Sequence, residues 1–424
     1  MASDEVAPTS PAATATIPAG PRPVRARAAT SAGYAAQGFG YATVVTALPA
    51  LKGRQGIDDA MVSVTVLVVC LAAAGGSMLA DRVAARQGSR TALVSGLAIQ
   101  ALALPVIAVH LPLGAFVLAF AVYGTGLGMV DASTGMQAVQ VQRRYGTSIM
   151  SGFFACYTGA AIAGALLMSA VASSASALGV TLLAATGVLA GTAVVGRREL
   201  LPPGREHLDD PAMALEAAAG HAGLEGAHLD PALAAGQGRR GAGPLPMTGI
   251  WVFGSVVLAA FVADSAVSTW SSVYLSDVLL TSAAVAPLGY AAYQGTILAS
   301  RALGDVLVRR VGRVAVAVAS PLISAAGLAL VVVVHSPGAA IVGFAATGVG
   351  VGTLVPLAFS AAGDIDPGRS DEVVARVNLF NYAGAVLGAV AVGLLSAGPG
   401  LAVGFLVPLL LLGPVALIAR RFAP

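Results

Sequence analysis

Two carboxylates, Asp131 and Asp264, lie well inside long apolar runs of this 424-residue chain, where an ionisable group is costly enough that function is the first reading to consider. Asp131 comes twelve residues before Arg143, roughly 18 Å along a helix, which places it near the middle of an apolar layer whose edge Arg143 marks. A carboxyl there can take up and release a proton beside a bound polar solute. Asp264 precedes Asp277 by thirteen residues, roughly 20 Å, and Trp270 by six. Each has a plainer alternative: Asp131 as a partner for the arginines at 82–90, Asp264 as a local hydrogen-bond partner of Ser265 or Ser268.

Neutral polar side chains share these runs. Tyr34, Gln37 and Tyr41 stand in the first, with Thr43 and Thr46 but no acid; Gln137, Tyr157, Gln294, Asn378 and Asn381 stand in later ones. Each can bind a solute's hydroxyls, and each is also the kind of residue that ties membrane helices together. There is no Walker loop and no nucleophile constellation, so neither an enzyme nor a cofactor is expected. Cys70 and Cys156 sit in apolar runs and read as small buried hydrophobes. His207, His221 and His228 invite a metal, but their spacing fits no zinc pattern and no cysteine joins them, so no metal site is expected.

The elements that must position these groups follow from composition. With 57% hydrophobic and 10% charged residues and a mean hydropathy of +0.84, the chain is an all-α polytopic membrane protein. At roughly 20 apolar residues per span, twelve spans are expected, near 29–51, 60–80, 91–110, 114–137, 148–172, 176–196, 248–274, 283–304, 314–334, 338–362, 376–397 and 399–419. Placing both termini in the cytoplasm collects almost every arginine on that face, leaving Lys52 and Arg54 outside beside Asp58 and Asp59; this is the asymmetry the positive-inside rule requires. The net charge of +3 is thereby accounted for by orientation, and nucleic acid is not a partner. Residues 1–28 read as a disordered basic tail, 29–198 and 248–421 as two six-helix bundles, and 199–247 as a cytoplasmic linker. One lysine against twenty-two arginines suggests a bacterial chain, which places it in the cytoplasmic membrane.

The two bundles echo each other. Asp81 and Asp305 each come seven residues before a glycine, Gly88 and Gly312, with Arg86 and Arg310 two before it. Arg82 and Arg90 in the first copy, and Arg309 and Arg313 in the second, complete a charged hinge between the second and third spans of each half. Gly124, Gly126 and Gly128 return as Gly348, Gly350 and Gly352, at positions suited to close helix packing.

Two six-helix halves, a long central linker and this acid-to-Arg-x-Gly hinge resemble the major facilitator superfamily of secondary transporters over residues 29–421. The usual hinge has its acid three before the glycine. Here those positions are Ala85 and Arg309, and the acids sit a helical turn earlier, which resembles the fucose-permease-like branch. The Gly38–Pro49 run of the first helix, Gly124–Asp131 of the fourth and Trp270-x-x-x-Tyr274-Leu275 of the seventh point the same way. The resemblance implies that helices 1, 4, 7 and 10 line a central cavity, with the halves rocking around it by alternating access. It also implies that Asp131 matches an acid of the substrate and proton site. The first-helix acid of that branch is missing, so Asp264 is the candidate for a second one. The hinge charges are then expected to hold the cytoplasmic face shut, with Asp81 and Asp305 paired to arginines. The expectation is a monomeric, proton-coupled transporter of a small organic solute in the lipid bilayer, sugar-like uptake being favoured by the branch. Export of a drug or apolar metabolite by proton antiport, passive facilitation and a non-transporting receptor are the alternatives.

Overall fold

The computed structural model describes residues 23–145, 149–201, 245–366, 369–396 and 400–422. The expected tail up to residue 22 and most of the linker, with its three histidines, lie outside them. All regular structure among the described residues is helical. The first half comprises α1 (Pro23–Gln55), α2 (Asp59–Gln87), α3 (Ser89–Ile107), α4 (Leu113–Tyr145), α5 (Met150–Val171) and α6 (Ala177–Glu199). The second comprises α7 (Met247–Val273), α8 (Ala286–Val311), α9 (Arg313–Val333), α10 (Pro337–Gly363), α11 (Ser370–Ser396) and α12, made of Leu401–Gly404 and Leu406–Val415. A π-helical turn, Tyr274–Val278, extends α7, and a 3₁₀ turn, Ala416–Phe422, ends α12. Ten helices among the described residues are long and apolar enough to cross a membrane. The other two, α1 and α8, are the least apolar of the twelve; they carry much of the central polar group.

The hinges differ from the loops expected. The Asp58 side chain caps α2 by accepting from Met61 N at 2.8 Å, and the helix then runs through Asp81 and Arg86 to Gln87. Residues 81–87 contain no helix breaker and are mostly good helix formers. A single residue, Gly88, separates α2 from α3, with φ 87° and ψ 154°, and its N–H closes on Ala84 O at 2.8 Å. Gly312 does the same between α8 and α9, with φ 88° and ψ 153° and its N–H on Val308 O at 2.9 Å. A side chain at this positive φ is strained, which is why both copies turn on glycine. Similarly, α1 begins at Pro23, inside the stretch expected to be tail.

The glycine triplets repeat in space as well as in sequence. A Cβ on Gly124 or Gly128 would lie 2.6 Å from Val69 O or 1.8 Å from Ala73 O, so these two let α4 lie against α2. Gly126 faces Gln100 of α3 instead. In the second half Gly348 and Gly352 face Tyr293 and Ser300 of α8, and Gly350 faces Ser320 of α9. Each fourth helix is thus wedged between the second and third of its own half.

Among the described residues, the apolar core shared by the halves lies between mid-depth and one end. Ala42, Val45, Leu48, Val62, Ala161 and Ala165 share a core with the second half. They run from mid-depth to the end where Lys52 lies, and there Lys52 Nζ bridges Asp59 of its own half at 2.5 Å and Asp277 of the other at 2.6 Å. Burial pulls the Lys52 ammonium down, but the hydrogen bonds and charges of Asp277 and Asp59 outweigh it and hold the group above the usual lysine value. Ser169 Oγ donates across to Ala284 O at 2.5 Å, and Gly393 of α11 is closed in by Ser63 of α2 and the Trp270 ring. At the arginine-rich end the first half packs into separate clusters that contain no residue of the second, and Leu379 and Tyr382 of α11 are 65% and 55% exposed. Among the described residues, the helices are closed together at the Lys52 end and parted at the arginine-rich end.

Candidate functional site

At mid-depth in the first half, three helices are joined by a chain of amides ending on a carboxylate. Gln100 of α3 donates Nε2 to Gln37 Oε1 at 2.8 Å. Gln37 of α1 in turn donates Nε2 to Asp131 Oδ1 of α4 at 2.8 Å, and to Leu127 O at 3.3 Å. Gln100 and Gln37 are 0% and 2% exposed, whereas Asp131 is half-buried. Burial of such amides is offset by the hydrogen bonds they make between helices.

The second half presents a different arrangement. Tyr293 of α8 donates its hydroxyl to Asp264 Oδ1 of α7 at 2.8 Å, and the Arg301 guanidinium acts on the same carboxylate from further along α8. One residue on, Gln294 donates Nε2 to the Tyr290 hydroxyl at 2.9 Å. Ser265, one of the two local partners expected for Asp264, instead reaches Ala385 O at 2.6 Å.

Tyrosines connect the two arrangements. Tyr41 lies in the electrostatic field of Asp264, and Tyr157 in that of Asp131 and Asp264 together. Exposed Tyr382 stands in the field of both Asp131 and Asp81. Asn378 and Asn381 form a pair on α11, Nδ2 to Oδ1 at 3.4 Å. Tyr34 packs between Phe153 and Phe154, with ring centroids at 5.6 and 5.2 Å, and reaches Asp131 by its field. The result is a group of phenols and amides with a carboxylate from each half. It can hydrogen-bond a polar solute, stack against a ring and exchange a proton.

Two expected members are held elsewhere. Gln137, 0% exposed, donates to Ser89 Oγ at 2.8 Å and Leu201 O at 3.2 Å, and accepts from Leu201 N at 3.1 Å. It ties the start of α3 to the chain leaving α6. Trp270 donates Nε1 to Ala389 O at 2.7 Å and fills the closed end. In both, the helix's rotation turns the side chain from the shared centre. Members that the sequence did not single out are Gln100, Tyr123, Tyr290, Tyr293 and Tyr382. Gln100 is the single amide of α3, a signal that was available.

At the arginine-rich end Asp81 is exposed and has no arginine partner among the described residues, in contrast to the pairing expected of it; the face it would close is open here. The Asp305 side chain lies outside the description. Of the hinge arginines, Arg313 donates to Asp364 Oδ2 at 2.6 Å and to Ser360 Oγ at 2.9 Å, while Arg82, Arg86, Arg309 and Arg310 are exposed and Arg90 is half-buried. No group of three or more His, Cys, Asp or Glu that could hold a metal occurs among the described residues.

No protein-family model matches the chain. Individual relatives do. It is 29% identical over 390 residues, 90% of its own length and 92% of the other's, to an uncharacterised transporter of the major facilitator type from Yersinia pestis. It is 24% identical over 365 residues, 86% and 82% of the two lengths, to the membrane protein MosC of Rhizobium meliloti. Among solved structures, a point mutant of the nucleoside transporter NupG superposes with a TM-score of 0.68 at 12% identity, covering 95% of this chain and all of that one. A bacterial homologue of the human lysosomal transporter Spinster, inward-facing and occupied, gives 0.66 at 13% identity, over 95% and 98% of the chains.

Proposed function

We propose that this chain is a transport protein of the major facilitator superfamily that moves a solute across the bacterial cytoplasmic membrane by proton-coupled alternating access, with Asp131 as the proton carrier. The observation that supports this most is the placement of Asp131. Its carboxylate is half-buried at mid-depth, held by Gln37, and acts on tyrosines from both halves. A proton bound there alters the charge at the point where the halves converge, which is what coupling requires. Asp264, held by Tyr293, is the second acid of the site. The transporting unit is the pair of bundles 29–198 and 248–421 in a single chain.

The solute is small, polar and ring-bearing. Tyr41, Tyr157 and Tyr290 supply rings, and Gln294, Asn378 and Asn381 supply donors and acceptors, in a site whose lining is too polar for a purely apolar cargo. The fucose-permease-like hinge agrees with a hydroxyl-rich solute. By the positive-inside rule the arginine-rich end faces the cytoplasm, so the conformation described is inward-open.

The test is transport in proteoliposomes of a solute first found by thermal-shift screening of the purified protein. Asp131→Asn is expected to abolish uptake driven by a proton gradient while leaving solute counterflow. Driven uptake that survives in Asp131→Asn and is lost in Asp264→Asn would assign the proton to the other half. Flux indifferent to pH would make the protein a passive facilitator.

A further inference from the structure

The amide chain behind Asp131 has a direction. Gln100 donates to Gln37, and Gln37 donates to Asp131. Because Gln37 Oε1 is occupied by Gln100, its Nε2 must face the carboxylate, which is the orientation an ionised acceptor needs. Gln100 is fully buried, and its own Oε1 accepts no hydrogen bond. A buried acceptor without a donor is uncommon and calls for a reason.

Protonation of Asp131 supplies one. A protonated carboxyl offers an O–H where the carboxylate offered only lone pairs. If the Gln37 amide turns over, its Oε1 accepts from Asp131 and its Nε2 reaches the vacant Oε1 of Gln100. The unpaired atom then becomes Gln100 Nε2 in place of Gln100 Oε1. Turning over gives up the Gln37 Nε2 bond to Leu127 O and leaves an N–H rather than an oxygen unpaired, so the chain accommodates both forms but favours the ionised carboxylate. The proton goes to the carboxylate; the amides rotate and transfer none.

We propose that Gln100 is a positioning residue that, through Gln37, forms a reversible amide relay supporting Asp131 in both its ionised and its protonated forms. The inference rests on the proposed role of Asp131. Titratable groups in the field of Asp131 include Tyr34 on α1, Tyr123 on α4, Tyr157 on α5 and Tyr382 on α11. These four are phenols, with an ordinary pKa of about 10, and do not compete with a carboxyl for the proton near neutral pH.

The experiment uses the proton alone as ligand. Full-length protein, with Cys70 and Cys156 replaced by alanine and spin labels at exposed Ala85 and Val311, is titrated with acid while the distance across the arginine-rich end is read. Methionine at position 100 neither donates nor accepts strongly, so the ionised carboxylate loses its oriented donor, and bonds to charged groups are the stronger ones. Gln100→Met is expected to raise the midpoint of the pH response by about one unit. Gln37→Met should raise it by at least as much, and the double variant no further than Gln37→Met alone. Gln100→Asn, which keeps an amide too short to reach Gln37, should behave as Gln100→Met and covers the case in which the methionine variant does not fold. A Gln100 variant with the wild-type midpoint, or additive shifts in the double variant, would overturn the relay and leave Asp131 as carrier. A pH response that is absent in the wild type or persists in Asp131→Asn overturns both.

Discussion

Gly88 and Gly312 turn the chain identically, yet the residues bracing those turns differ in kind. In the first half Ser89 Oγ accepts from Gln137 at 2.8 Å and from Gln140 at 3.3 Å. In the second half Arg313, at the position equivalent to Ser89, pairs with Asp364, at the position equivalent to Gln140. One brace is neutral and buried, and the other is ionic with an aspartate side chain that is 65% exposed. Duplication preserved what steric rules demand, a glycine at positive φ and glycines where helices touch. It left the tie between third and fourth helices free to be built from either chemistry. The acids diverged further, since the positions equivalent to Asp131 and Asp264 are Val355 and Gly40.

The largest expected effect separates the two glycine triplets. A Cβ at position 128 meets the Ala73 carbonyl at 1.8 Å, whereas at 352 it meets the Ser300 hydroxyl at 2.1 Å, which can rotate aside. Gly128→Ala should therefore cost about 2–3 kcal/mol and Gly352→Ala less than about 1 kcal/mol, read as thermal stability in detergent. Equal losses would show the second interface to be as rigid as the first. Next in size, Gly88→Ala and Gly312→Ala should each cost about 1–2 kcal/mol from the positive φ alone, and a clear inequality would break the equivalence of the hinges. The smallest effect concerns the braces. Arg313→Gln should lose less than about 1 kcal/mol, a loss that shrinks as salt is added. Ser89→Ala should lose about 1 kcal/mol irrespective of salt, and a salt-dependent loss there would contradict its neutral character.

The span count, the repeat and the glycine packing were all legible in the sequence, because periodicity and composition register burial in lipid directly. The hinge was legible as a charged repeat but not as a one-residue turn: hydropathy marks where apolar residues stop, while α2 continues as far as its helix formers allow, to Gln87. Membership of the central site was harder to read. Gln37, Tyr41, Tyr157 and Asp131 come together there, but Gln137 and Trp270 do not, since a small difference in helix rotation decides whether a side chain faces the centre or a neighbouring helix. Gln100 and Tyr293 gain their meaning only from the carboxylates they meet on other helices. The Ser89–Gln140 tie could have been found by laying one half over the other, since its counterpart is a salt bridge between opposite charges.

Lys52 is the chain's one lysine, and its ammonium sits between carboxylates of the two halves. Apart from the amino terminus, the sequence therefore has a single primary amine, and one of its two ion pairs, that to Asp277, ties the halves together across the closed outer end. Acylating reagents added from that side meet one address on the whole molecule, so the rate at which they modify it is a clock for how often the entrance parts, needing neither a known solute nor an engineered label.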